Sequence, residues 1–213
     1  MRYLDLLTAL FATVLLVSNV ASTKLVVLGP FTFDGGTLLF PLAYIFGDVL
    51  TEVYGYRKSR RVIWIGFFAL LLATLTFQAV AHPPAPPDAE SQRFGEAFGL
   101  LLGLTPRIVL GSLLAYVLAK LKVRTEGRFF WLRALASTLV GQGLDTGVFL
   151  LVAFYGVFPK EVLLAVFLSN YAFKLGVEAL MLPFTYAVVG FLKRAEGMDA
   201  YDRDPDFNPF RLT

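Results

Sequence analysis

The sequence predicts an all-α fold, a polytopic six-helix transmembrane bundle, and three observations carry that expectation. Hydrophobic residues make up 57% of the chain and mean hydropathy is +0.67, which leaves too few polar groups to clothe a soluble domain. Charged residues are 16% of the total, against roughly 25% in a typical soluble domain. The charges gather in short segments between apolar runs, and basic clusters alternate with acidic ones. A pI near 9.2 therefore reads as membrane orientation rather than as a nucleic-acid surface.

A helix needs about 20 residues to cross the hydrocarbon layer. Six runs meet that length, at about 4–28, 37–55, 62–82, 98–119, 133–156 and 161–192. The first has only Arg2 before it and Ser18, Asn19, Ser22, Thr23 and Lys24 in its second half. It reads as a retained span rather than a cleaved signal peptide. The second is free of charge from Gly35 to Gly47 but carries Asp48 and Glu52 in its remaining turns, so a re-entrant segment is its alternative. Asp34-Gly35-Gly36 before it reads as a turn. The third holds no charge from Val62 to Pro87. The fourth has Arg107 just inside it after Thr105-Pro106, the fifth has Asp145 near its midpoint, and the sixth is long enough to tilt or to continue past the membrane.

Arg57, Lys58, Arg60 and Arg61, then Lys120 to Arg133, then Lys193 and Arg194 mark one face. Asp88, Glu90 and Glu96 mark the other. The positive-inside bias places both termini in the cytoplasm. Residues 1–194 then form the six-span domain and 195–213 an acidic cytoplasmic tail.

Polar residues inside these runs carry the functional signal, because an ionisable group at bilayer depth is costly unless it has partners or lines a polar passage. Asn170, Lys174 and Glu178 step by four along one face of the sixth span. Lys174 and Glu178 are either a structural ion pair or a gate broken and remade. Tyr44, Asp48 and Glu52 step by four in the second span; the plainer role for Glu52 is interfacial pairing with Arg57 or Arg60. Gln142 and Asp145 share a face of the fifth span, and Gly143 and Gly147 permit a close helix approach. Asn19 lies deeper in the first span than Lys24.

Carboxylates accept hydrogen bonds, while Asn and Gln both donate and accept. With Tyr44, Tyr171 and Phe173 as ring faces, these groups suit a flat heterocycle with an amide-like edge. Asp145 or Glu178 would take its paired N–H donors. A polar amino acid or an inorganic cation uses many of the same groups. Enzymatic motifs are missing: no P-loop, no dinucleotide fingerprint and no Ser/His/Asp arrangement. The chain has no Cys and one His, which excludes a disulfide framework and a cysteine-based zinc site, and neither metal nor cofactor is expected.

Val17-Ser-Asn-Val-Ala21, Phe40-Pro-Leu-Ala-Tyr-Ile-Phe-Gly-Asp-Val-Leu-Thr-Glu-Val-Tyr-Gly55, Arg60-Arg-Val-Ile-Trp64, Ala136-Ser-Thr-Leu-Val-Gly-Gln-Gly-Leu-Asp-Thr146 and Tyr171-Ala-Phe-Lys-Leu-Gly-Val-Glu178 stand in that order along the chain. Together they resemble the queuosine precursor transporter family, small integral membrane proteins also described as vitamin-uptake-type. The resemblance runs over nearly the whole chain. It implies import of a deazapurine base, 7-cyano-7-deazaguanine or its aminomethyl relative or queuine, through a six-helix protein of the bacterial inner membrane. It also implies a fold related to the substrate-binding components of vitamin importers; the placing of the basic residues in short loops already argues against a nucleic-acid partner.

Carry-over of the motifs favours Asn19, Asp48, Asp145, Asn170 and Lys174. The substrate-binding set is then Asn19, Tyr44, Gln142, Asp145, Asn170, Lys174 and Glu178, with coupling or gating at Asp48, Glu52, Lys174 and Glu178. Some family members place a basic residue at the position of Glu52, which weakens a universal coupling role there. Secondary transport with proton coupling and facilitated diffusion followed by trapping both stay open, as does a homodimer. A substrate-capture subunit with an energising partner, or a non-transporting membrane assembly protein, are the alternatives.

Overall fold

The computed structural model describes residues 3–121 and 130–197. Helix α1 (Leu4–Ala21) leads into a hairpin, β1 (Leu25–Leu28) and β2 (Phe31–Asp34), followed by a tight 3-10 turn at Gly35–Leu39. Then come α2 (Phe40–Ala81), α3 (Ala89–Leu102), α4 (Thr105–Leu121), α5 (Phe130–Phe154) and α6 (Lys160–Glu196).

This architecture corrects the expectation of an all-α six-helix bundle. Among the described residues, four helical stretches are long and apolar enough to cross a membrane: Leu4–Ala21, Gly35–Ala81, Ala89–Leu114 and Lys160–Glu196. The runs expected as separate second and third spans are continuous in α2, a single spanning stretch made of two helices that meet at Gly55, whose φ 80° and ψ 165° are non-helical. Phe11 of α1 touches both, packing against Phe46 before the break and beside Gly66 after it. Lys and Arg are good helix formers, so Arg57 to Arg61 stay helical and the break falls before them, at Gly55. Only the glycine, free to adopt positive φ, makes the bend. In α5 the described apolar stretch is the shorter Gln142–Phe154.

The hairpin is the second departure. Its strands pair antiparallel from Leu25 with Asp34 to Leu28 with Phe31. Gly29 has φ 59°, the positive value that the first central position of a two-residue hairpin turn requires and that Pro30 could not adopt. The expected 4–28 span thus ends as a helix at Ala21, and Lys24 is exposed beyond it. Protein covers the end of the hairpin next to the 3-10 turn, where Phe33 and Asp34 are buried, whereas Val27, Leu28 and Phe31 at its tip are exposed. Ser169 Oγ accepts from Thr32 N–H at 3.0 Å, and the Lys24 carbonyl accepts from Gly35 N–H at 2.8 Å.

Two apolar clusters hold the helices together. Val49, Leu50, Val53, Tyr54, Val62, Val189 and Leu192 form the first, with Leu4, Leu7 and Phe11 of α1 against it. Ile108, Leu150, Ala153, Phe154 and Val166 form the second, joined by Leu25, Phe158 and Phe167. The chain termini of the described fold meet beside the first cluster: Glu196 Oε1 accepts from Tyr3 N–H at 2.7 Å and from Tyr54 Oη at 2.9 Å. At the other end, the Arg107 guanidinium donates to the carbonyls of Val152 (3.1 Å) and Tyr155 (2.7 Å). It thereby caps the C-terminal end of α5 with positive charge. Outward faces are lined with exposed Leu6 and Leu10, Phe68, Leu72 and Leu75, and Leu164 and Leu168, the spacing of helices wetted by acyl chains.

Candidate functional site

Between the two apolar clusters, α6 carries its polar face, and that face meets α5 on one side and the hairpin with its turn on the other. The α5–α6 contact is built from small residues opposite rings. A methyl group added at Gly143 would touch Tyr171 at 3.5 Å, and one at Gly147 would touch Phe167 at 3.6 Å. Phe167 and Tyr171 are themselves stacked, 6.0 Å between centroids at 4°. Two glycines four apart thus receive two rings four apart, the matching of ridge and groove expected for close helices.

That proximity lets Lys174 reach α5. Its ammonium donates to Thr146 Oγ1 at 3.1 Å, lies 3.7 Å from Asp145 Oδ2, and sits 5.2 Å above the ring of Phe40. The Lys174 side chain is 12% exposed and that of Asp145 33%. A charge-assisted hydrogen bond would close to about 2.8 Å, so the Lys174–Asp145 pair is loose and its carboxylate retains open valence. Lys174 engages Asp145 across the helix interface and not Glu178 one turn along. The aromatic face of Phe40 adds electrostatic attraction without filling a donor.

One turn before Lys174, Asn170 is 1% exposed and donates through Nδ2 to Asp34 Oδ2 at 2.6 Å. Asp34 is likewise buried, 4% exposed. Ser22 Oγ donates to its Oδ1 at 2.7 Å, the Thr37 N–H to the same oxygen at 3.2 Å, and Thr37 Oγ1 to Oδ2 at 2.8 Å. Four neutral donors saturate this carboxylate, which is how a buried charge is tolerated without a cation. Phe33, next to Asp34, packs edge-on against Phe173 with centroids 5.3 Å apart. The hairpin and turn are thereby fastened to α6 through Ser169, Asn170 and Phe173.

Two buried acceptors close to this region have no hydrogen-bond partner among the described residues, Asn170 Oδ1 and Gln142 Oε1. Gln142 stands four residues before Thr146 on α5, and Asn170 four before Lys174 on α6. In two antiparallel helices these acceptors flank the Lys174 contact from opposite ends. An unfilled buried acceptor costs about 1–3 kcal/mol, so each is poised for an N–H or O–H donor.

The remaining expected residues fall elsewhere. Asn19 is buried, with Nδ2 donating to the Leu15 carbonyl at 2.8 Å and Oδ1 accepting from Ser112 Oγ at 3.0 Å, which ties α1 to α4. Glu52 is 65% exposed and lies 3.9 Å from Lys193, beside the termini and remote from Lys174; its partner is on α6 rather than Arg57 or Arg60. Asp48 and Glu178 are half-buried on α2 and α6. The side chain of Tyr44 and the tail from 198 onward lie outside the described residues. Sequence reasoning missed Asp34, Thr37 and Phe40. A signal existed: Asp-Gly-Gly-Thr is an N-cap pattern, and Asp34 does cap the 3-10 turn through Thr37.

With this geometry in hand, comparison with known proteins gives the context. The family model described as "Putative vitamin uptake transporter" matches residues 34–188, most of the chain, beginning at Asp34. The chain belongs to that family. It is similar to the "Probable queuosine precursor transporter" of Bacillus subtilis (strain 168), 35% identical over 83% of this chain and 80% of the relative. The "Queuosine precursor transporter" of Escherichia coli (strain K12) is 26% identical over 72% of this chain and 71% of its own length. A relative of the same kind from Haemophilus influenzae is also 26% identical, over 72% and 67%. No solved structure matches. The protein is a multi-pass membrane transporter and not an enzyme.

Proposed function

We propose that this protein imports a queuosine precursor, with 7-cyano-7-deazaguanine as the first candidate and its aminomethyl relative and queuine as further ones, across the bacterial cytoplasmic membrane without direct use of ATP. The observation that carries the reading is the polar layer on α5 and α6. A lysine, a carboxylate with open valence and two unfilled amide oxygens lie together between apolar clusters, in a family of uptake transporters. A deazaguanine offers the complement: paired N–H donors for Asp145 and the amides, a carbonyl for the Lys174 ammonium, and a flat ring for Tyr171 or Phe173.

Orientation follows the same logic. The Tyr3–Glu196 contact brings both ends of the described fold to one face, where Arg57, Lys58, Lys193 and Arg194 also lie. That basic face is cytoplasmic by the positive-inside rule. We assign proton coupling to Asp48, on the helix that begins beneath Lys174.

Uptake of radiolabelled 7-cyano-7-deazaguanine by proteoliposomes of the purified full chain tests the proposal, with queuine, guanine and adenine as competitors. Saturable uptake displaced by the deazaguanines and not by adenine is expected, with accumulation lost when the pH gradient is dissipated. Equilibration indifferent to the gradient would reduce the mechanism to facilitated diffusion. Tight binding without turnover would make the chain a capture subunit, and no binding at all would refute the substrate.

A further inference from the structure

We propose that Asp34 is a positioning residue that sets substrate selectivity by fixing which way the Asn170 amide points. The inference rests on the transport reading above and deepens it. An amide can present either its oxygen or its NH₂ to a ligand, and its two orientations are nearly equal in shape. At Asn170 the NH₂ side faces Asp34. The Thr37 backbone N–H can only donate, and it donates to Asp34 together with the Ser22 and Thr37 hydroxyls. That N–H and the Ser22 hydroxyl fill Oδ1, and Oδ2 accepts from Thr37 Oγ1 and from Asn170 Nδ2 at 2.6 Å, so a carboxylate at 34 holds the NH₂ side of Asn170 toward itself.

The consequence lies on the other side of the amide. Asn170 Oδ1 is buried and unfilled, one helical turn from Lys174 on the same face of α6. It presents an acceptor, never a donor, to whatever occupies the space beside Lys174. A guanine-type edge, whose ring N1–H and 2-amino group donate, satisfies it. An adenine-type edge, whose N1 accepts, meets it lone pair to lone pair. The discrimination resides in Asp34, although Asp34 need not touch the solute.

An exchange of the two side chains separates this role from a merely structural one. In Asp34→Asn, the new amide offers NH₂ toward Asn170, which turns its oxygen to meet it and shows NH₂ to the solute. Uptake of 7-cyano-7-deazaguanine relative to 7-cyano-7-deazaadenine is then expected to fall about tenfold, the worth of one hydrogen bond gained against one lost. The double variant Asp34→Asn with Asn170→Asp reverses the pair, a donor at 34 now facing a carboxylate at 170 whose other oxygen again offers the solute an acceptor, and the ratio is expected to recover. Proteoliposomes of the full chain give both rates. If Asp34→Asn is not recovered folded, Asn170→Ala carries the same prediction of lost discrimination.

A ratio unchanged in the single variants, with both bases affected alike, would overturn the inference while leaving the transport reading intact. So would a double variant no better than Asp34→Asn. Wild-type protein that takes up neither base would overturn the transport reading first, and this inference with it.

Discussion

An ammonium group at mid-span persists only where something replaces water, and at Lys174 a hydroxyl, a carboxylate and a ring share that task. Removing it strands Asp145 and Thr146. Lys174→Met is therefore expected to lower the initial rate of deazaguanine uptake at least tenfold per folded transporter, whereas Glu52→Gln, 65% exposed near Lys193, leaves the rate within about twofold because an exposed pair is worth little. Equal losses in both variants would contradict the placement of the site. Lys174, Asn170 and Asp145 were legible in the sequence because charge and amide at bilayer depth stand out in an apolar run. Asp34 was not, since a four-residue strand disappears inside a hydropathy window and its neighbouring glycines look like a plain turn. Asn19 looked functional for the same reason Asn170 did. The structure distinguishes them by their amide oxygens, that of Asn19 accepting from Ser112 and that of Asn170 without a partner among the described residues.

At the scale of elements, the hairpin and its turn depend on close backbone approach. A methyl group at Gly35 would run into the Ala21 carbonyl, and one at Gly36 into Ser22 Oγ and the Ser18 carbonyl. Gly176 in α6 has open space around its Cβ position. Gly35→Ala is expected to destabilise the purified protein by about 2 kcal/mol through overpacking, with lowered precursor uptake because the Asp34 network moves. Gly176→Ala is expected to be neutral or slightly stabilising through helix propensity. Thermal melting in detergent distinguishes the two, and equal melting would contradict the packing. Helix α3 shows a second elementary device, since its N-cap Asp88 accepts from Ser91 N–H at 2.8 Å. Those donors hold the Asp88 carboxyl below its ordinary value of 3.8. The cap therefore contributes above that ordinary value and is lost as pH falls through the lower folded one. Lower amide protection factors in the first turn of α3, relative to the intrinsic exchange rate at each pH, are expected on acidification and at neutral pH in Asp88→Ala. The span count was misread for a related reason. Hydropathy finds charges, but a helix ends where backbone geometry changes, at Gly55 and near Gly103, and charges alone do not mark that.

Over the whole molecule, two apolar clusters bracket a polar layer, an order suited to a passage sealed at one end or the other. The basic residues near the Gly55 bend and the end of α6 share a face with the N-terminus, while the hairpin, the Pro-rich 83–88 stretch and the 155–159 turn lie at the opposite end. The chain has no cysteine, so a single introduced thiol reports its own side of the membrane. Glu90→Cys is expected to react with an impermeant maleimide in intact cells and Ala195→Cys only after lysis; the reverse pattern would invert the transporter.

The measurement that bears most directly on the central claim is substrate protection of a thiol placed in the polar layer. Gln142→Cys, alkylated in proteoliposomes, is expected to react several-fold more slowly with saturating 7-cyano-7-deazaguanine and at an unchanged rate with adenine. An alkylation rate indifferent to the deazaguanine, in a variant that still transports it, would place the substrate elsewhere and contradict the account.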